Sequence, residues 1–193
     1  MLAIIHAPNP ILSQTAKRVK KVEFQVKSLI KEMEETLNHT HDPQGVGLAA
    51  PQVGKSLQIF ITKPSSKSKI QVFINPEIIQ KTETSRLTVD NDHRSRLNKT
   101  AEKKLPARLE GCLSLQSIWG DVIRNRQVVV SYLDENGIPH KKKFSGFLAT
   151  IIQHETDHLN GILFPKRVLE QKGKLYKSYK DEKGEDEFEE IKL

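Results

Sequence analysis

Cysteine is nearly absent. Cys112 is the only one in 193 residues, so no internal disulfide can form. A lone thiol fits a reducing compartment and leaves three roles for Cys112: buried filler, nucleophile or metal ligand. Filler is the commonest for the residue type alone. Long apolar runs are absent as well. None approaches the ~20 residues needed to cross a bilayer. The opening stretch MLAIIHAPNPILSQTAKRVKK has no signal-length apolar core and no small-residue cleavage pattern, and Pro8 and Pro10 interrupt it early. The expectation is a cytoplasmic protein without membrane association; an organelle protein that had lost its transit peptide would read the same way. Aromatic residues are sparse, at 6%. This matters because a net charge of +7 otherwise favours RNA, ribosomes or acidic lipid as partners. Here the lysines are mixed with acids and hardly interleaved with aromatics, so no specific nucleic-acid recognition is expected.

No internal repeat is present, and a chain of this length buries enough core to fold without disulfides. Phe24, Val26, Leu29, Ile30, Met33 and Leu37 recur at helical spacing among lysines and glutamates, which predicts an amphipathic helix over 24–39. Residues 41–54 are rich in glycine and small side chains and predict a loop with little regular structure. The β-rich runs 57–62 and 70–74 predict paired strands. Runs 127–133 and 138–144, joined through Asp134-Glu135-Asn136-Gly137, predict a hairpin. Between 81 and 109 the chain turns polar and charged, which predicts a mobile surface excursion. Ser145 is placed to cap a helix from Gly146, with Phe147, Leu148, Ile151 and Ile152 on its apolar face and Asn160-Gly161 as its stop. The expected division is a catalytic domain over 1–171 and a charged tail over 172–193, frayed or in an exposed helix.

His154-Glu155-Thr156-Asp157-His158 is the strongest local pattern. Histidines four apart on a helix share one face and reach one metal ion, with Glu155 beside them to exchange a proton with a water there. Two ordinary helix histidines around a solvated glutamate would give the same letters. Chance supplies HExxH in roughly one chain in a hundred of this size, so the motif alone carries moderate weight. A catalytic divalent metal commonly takes three protein ligands and keeps one position open. The third could be Cys112, in Glu110-Gly111-Cys112-Leu113-Ser114, or an acid after the helix; spacing leaves both open. The segment Gly45-Val46-Gly47-Leu48-Ala49-Ala50-Pro51-Gln52-Val53-Gly54 lacks the Lys-Ser/Thr ending of a phosphate loop. Its glycines permit close backbone approach, and the Gln52 amide could donate to a developing oxyanion; packing under a helix explains the same small residues.

Together the segments GVGLAAPQVG, EGCLS and QHETDHLNG, in that order, resemble the three signature blocks of peptide deformylase. Ala7-Pro8-Asn9-Pro10-Ile11-Leu12 and Phe73-Ile74-Asn75-Pro76-Glu77 resemble further family patterns, so the similarity covers most of residues 1–166. The resemblance implies an α+β fold of short, mainly antiparallel strands around a central metal-binding helix. It implies Cys112, His154 and His158 as ligands of one divalent ion, natively Fe(2+), with Zn(2+), Ni(2+) or Co(2+) tolerated. The reaction it implies is removal of the formyl group from N-formylmethionyl nascent peptides. Glu155 would be the acid/base, and Gln52 and the Leu113 N–H the oxyanion donors. Substrate would pair with the backbone around Val46 and Gly47, with Val46, Phe147 and Ile151 lining a methionine pocket. Asp157 faces away from the histidines and has a supporting role, while Glu110, flanked by Arg108, would anchor its loop through a salt bridge. In bacterial members the tail region can help docking on the ribosome, which makes a transient ribosome contact a further expectation.

Two departures stand out. The family usually has a proline soon after the serine of the second block, where this chain reads Leu115-Gln116-Ser117 before Trp119, so the rim of the cleft should differ. The 81–109 excursion is also longer than the family leads one to expect. The competing readings are another HExxH hydrolase, against which Cys112 argues, and a non-catalytic relative that binds peptide or RNA.

Overall fold

The computed structural model describes residues 1–41, 44–81, 84–85, 109–182 and 184–192. Most of the expected 81–109 excursion, and Arg108 with it, therefore lies outside the described residues. In chain order the elements are α1 (Phe24–Asn38), β1 (Gly47–Ala49), β2 (Ile59–Thr62), β3 (Gln71–Lys81), β4 (Thr84–Ser85), β5 (Glu110–Cys112), β6 (Leu115–Gly120) and β7 (Arg124–Asn125). There follow β8 (Gln127–Leu133), β9 (Pro139–Ser145), α2 (Gly146–Leu159), α3 (Phe164–Glu170), β10 (Leu175–Lys180) and β11 (Asp186–Glu190). Every named strand pair is antiparallel, which makes the fold α+β, as expected.

A five-stranded sheet in the order β1-β2-β3-β8-β9 is covered by apolar clusters on both faces. Successive residues of β2 point to opposite sides. Ile59 and Ile61 pack with Leu29, Ile30, Met33 and Leu37 of α1, while Phe60 packs with Phe73, Tyr132, Phe144 and Ile152. A strand buried on both faces reads as a continuous apolar run, and Ile59–Thr62 is wholly buried. On the α2 side, Phe73 lies 4.7 Å from Phe60 and 4.5 Å from Tyr132, ring to ring, an arrangement favourable beyond area burial alone.

Three local expectations need correction. Phe24 opens α1 but is 83% exposed; the apolar face proper is carried by Val26, Leu29 and Ile30. Residues 41–54 are not simply a loop: Gly47–Ala49 pairs with β2 and Ala50–Val53 forms a 3₁₀ turn. Small side chains let residues 47–53 lie fully buried between sheet and helix, where their backbone groups need partners. The tail is neither frayed nor helical. Leu175–Lys180 and Asp186–Glu190 form a hairpin that extends β6 into a four-stranded sheet, β11-β10-β6-β5. Leu175, Tyr176 and Tyr179 carried a strand signal only through residue type, and the charge density masked it.

The α2 helix begins and ends where expected but is not capped as expected. Ser145 makes no side-chain cap hydrogen bond, and the turn into the helix is made by Gly146 at φ 63°. At the other end Gly161, φ 68°, donates to the His158 carbonyl and Ile162 donates to that of Asp157. This is a Schellman closure. A Cβ on Gly161 would sit 2.6 Å from the Ser13 carbonyl carbon, so glycine is required there twice over.

Candidate metal centre and catalytic cleft

Helix α2 is buried along most of its length, and one face of it carries Phe147, Ile151 and Glu155 on successive turns. His154 and His158 follow one turn apart, their rings 4.9 Å between centroids. The tight β5–β6 turn brings Cys112 to them from the second sheet. Its Sγ lies 3.1 Å from His158 Nε2, and the donor atoms of Cys112, His154 and His158 all lie within 4.8 Å of one another. The sequence left Cys112 and a later acid open as third ligand; the structure brings Cys112 to the histidines.

The donor set fits a divalent transition metal. A thiolate and two imidazoles at this spacing suit tetrahedral zinc or ferrous iron. The site is also electrostatically prepared for such an ion. Burial pushes the Cys112 thiol up, but His158 and His154 outweigh it and hold it well below its ordinary range. His154 Nδ1 lies 3.1 Å from Glu110 Oε2, which turns its other nitrogen inward; a carboxylate behind a ligand histidine fixes ring orientation and raises basicity. His158 Nδ1 and Glu155 Oε2 are buried with no protein partner among the described residues. Buried polar atoms of this kind are costly unless something else meets them.

Behind the three donors runs a network of buried charges. Arg124 holds Glu110 through two bonds, of 2.8 and 2.9 Å, and reaches Asp157 at 2.6 Å. Asp157 is held again by Arg167 at 2.7 Å. Burial would raise the Glu110 carboxyl, but Arg124 and then His154 outweigh it and hold it at about 2. Asp157 is lowered too, with its two arginines overcoming burial. The expected salt bridge of Glu110 is therefore present, and Asp157 is tied to Arg124 and Arg167 and lies outside the Cys112–His154–His158 cluster. Arg124 and Arg167 were missed. Arg124 stands in Val122-Ile123-Arg124-Asn125, where an arginine among apolar neighbours hinted at burial, but no spacing pointed to its partners.

Glu155 is in a different environment. It is 4% exposed, and burial pushes its carboxyl up to about 7, against the pull of His154 and His158. A group poised near neutrality is suited to accept and return a proton. Gly47 lies directly against it: a Cβ there would collide with Glu155 Oε1 and come within 2.9 Å of Ile151 Cγ2. This close approach is why glycine stands in β1. Gln52 is buried beside the sulfur. Its Oε1 accepts from the Ala49 N–H at 2.8 Å, which fixes the amide so that Nε2 points to Cys112 Sγ, 3.5 Å, and Ser114 Oγ, 3.3 Å. Ser114 as partner of Gln52 was also not foreseen. Leu113 follows Cys112 in the turn, half-buried and packed on the α1 cluster. Val46 is half-buried, Ile151 buried and Phe147 40% exposed.

Strands β1 and β5 are each terminal in their sheets, and each carries residues of the site. Known proteins agree with this geometry. Residues 1–174 match the family model described as polypeptide deformylase. A peptide deformylase of Borreliella burgdorferi is 36% identical over 184 residues, covering 95% of this chain and 98% of the relative; one from Pseudothermotoga lettingae is 39% identical, covering 81% and 76%. The solved peptide deformylase of Thermotoga maritima superposes with TM-score 0.70 at 32% identity, covering 86% of this chain and 97% of that one. The enzyme of Synechococcus elongatus in complex with actinonin gives 0.69 at 34%, covering 86% and 78%. On the evidence of its three blocks, its fold and these relatives, the chain belongs to the peptide deformylase family, the hydrolases that remove the N-formyl group from newly made polypeptides.

Proposed function

We propose that this deformylase works on N-formylmethionyl peptides at a metal ion held by Cys112, His154 and His158, with Glu155 moving the proton. The observation that carries the reading is the convergence of a low-pKa thiol, two imidazoles and a buried carboxyl near 7 at one end of α2. When bound, the ion supplies Lewis-acid chemistry, easing ionisation of water and polarising the formyl carbonyl. Glu155 takes the proton of the attacking water and hands it to the leaving amine nitrogen. Gln52 Nε2 and the backbone N–H of Leu113 donate to the formyl oxygen as its charge develops. Cys112 serves as a ligand and not as a nucleophile.

The peptide enters as an added strand between β1 and β5, the terminal strands of their sheets among the described residues, using the Val46–Gly47 backbone and reading little beyond the first side chain. That side chain, methionine, lies along the α2 face of Phe147 and Ile151, with Val46 opposite. Fe(2+) is the proposed native ion, and Zn(2+), Ni(2+) or Co(2+) would suit the same donors. A ferrous ion beside a thiolate needs a reducing compartment, which supports the cytoplasm as its location; no helix among the described residues is long and apolar enough to cross a membrane. A transient ribosome contact belongs to the proposal because the substrate emerges there and the chain carries +7.

The test is formate release from formyl-Met-Ala-Ser by protein purified anaerobically with ferrous iron, before and after chelation, with a Cys112→Ala variant in parallel. Activity should disappear on chelation, return with metal, and be absent from the variant together with stoichiometric metal. Full activity in a chelated, metal-free sample would refute the reading.

A further inference from the structure

The hairpin β10–β11 begins at Leu175, just beyond the 1–174 stretch that matches the family. It nevertheless bears on the strand that delivers the metal ligand. Strand β5 has only three residues, Glu110–Cys112, and its sheet partner is β6. Such a short edge strand has little stability of its own, yet it places both Cys112 and the Glu110 that orients His154. In the register Gly111 faces Trp119. The indole lies flat in the space a side chain at 111 would take: a Cβ there would be 2.8, 2.9 and 3.1 Å from Cζ3, Cε3 and Cη2.

Trp119 is held in turn by the hairpin. Its Nε1 donates to Ser178 Oγ at 3.0 Å, and Phe188 meets the ring edge-on at 5.8 Å and 81°. Ser178 and Phe188 are direct cross-strand partners, so one pair on the hairpin fixes both the N–H and the face of the indole. On the other side of the same strands, Phe164, Val168 and Leu175 fill the space above Gly120, the partner of Glu110. The ligand strand is gripped from both faces.

We propose that the C-terminal hairpin, acting through Trp119 on Gly111, is a positioning element that sets the Cys112 sulfur for metal binding. This rests on the metal reading of the preceding subsection. Trp119, Ser178 and Phe188 are positioning residues, outside the Cys112–His154–His158 donor cluster.

Trp119 is the only tryptophan, so its emission reports the state of the clamp directly. The experiment compares the parent, the double variant Ser178→Ala/Phe188→Ala, and Tyr179→Ala. Tyr179 bonds Glu187 on the alternate face of the same hairpin, so its loss perturbs the hairpin without touching Trp119. Each protein is loaded with cobalt(II), whose affinity is measured by chelator competition and whose thiolate charge-transfer band reports the Cys112 bond. The double variant should show red-shifted emission, about tenfold weaker cobalt binding, as for other residues that orient ligands, and a weakened or shifted band. Tyr179→Ala should match the parent on all three. Unchanged cobalt affinity and band in the double variant would overturn the proposal, with or without a red shift. So would an equal loss in Tyr179→Ala, which would mean general loosening. A parent that shows no thiolate–cobalt band would instead overturn the metal reading itself, and this inference with it.

Discussion

Replacing Arg124 with methionine removes the charge shared by two buried carboxylates while keeping most of the apolar stem. The Arg124 side chain is 7% exposed, and those of Glu110 and Asp157 are 11% and 10% exposed, so water compensates little. A carboxyl held at about 2 against its ordinary 4.5 corresponds to about 3 kcal/mol at neutral pH, at about 1.4 kcal/mol per tenfold in proton affinity. His154 supplies part of that, but Asp157 loses a partner as well. Breaking a buried ion network by removing one member typically costs about 3–5 kcal/mol, and Arg124→Met should fall in that range at about pH 7.5. The pH dependence follows from the direction of the shifts. In the parent the depressed carboxyls stabilise the fold fully above about 4.5, and this is lost only as pH falls towards 2. In the variant Asp157 keeps Arg167, but Glu110 loses the larger part of what opposes burial; its carboxyl rises, so the fold suffers most where it would ionise when unfolded, and recovers as pH drops towards 4.5. Urea unfolding with chelator present, at about pH 7.5 and about pH 5, should therefore show a gap between the two proteins that narrows on acidification. A gap under about 1 kcal/mol at the higher pH, or one that widens on acidification, would refute the reasoning.

Three other substitutions test separate parts of the account. Gly47→Ala places a methyl on Glu155 Oε1 and Ile151; formate release should drop at least about tenfold, with metal content unchanged by elemental analysis. Gln52→Leu removes the proposed oxyanion donor, and kcat should fall by about 10²–10³ with KM less affected, as steady-state kinetics would show. Ser145→Ala should cost under about 0.5 kcal/mol in urea unfolding, because its hydroxyl makes no cap hydrogen bond; a loss near 1 kcal/mol, usual for a working N-cap, would contradict the geometry.

The elements visible in the sequence were those whose signal is local. Helix α2 announced itself through its apolar spacing and its Asn160-Gly161 stop, and the β8–β9 hairpin through alternation around Asp134–Gly137. Gly137 takes φ 77° in that turn. What stayed hidden depends on distant partners. Ser145 looked like a cap, yet as the last residue of β9 it pairs with Gln127, and Gly146 makes the turn instead. The tail looked solvated because nothing in its own charges reveals that Trp119, some sixty residues earlier, completes its sheet. In the site, the HExxH spacing pointed to His154 and His158 and left the third donor open; only the likeness of EGCLS to a family block singled out Cys112, which the fold brings within 4.8 Å of both histidines. Arg124 could not be found this way: its role exists only because the fold brings Glu110 and Asp157, from a strand and a helix, to one guanidinium.

The role of Glu155 at the metal is tested by comparing the parent with Glu155→Ala, both loaded anaerobically with ferrous iron, for formate release from formyl-Met-Ala-Ser. The parent should release formate rapidly and the variant about 10²–10⁴ more slowly at equal iron content. Comparable release from the two iron-loaded proteins, or none from a folded and iron-loaded parent, would contradict that role.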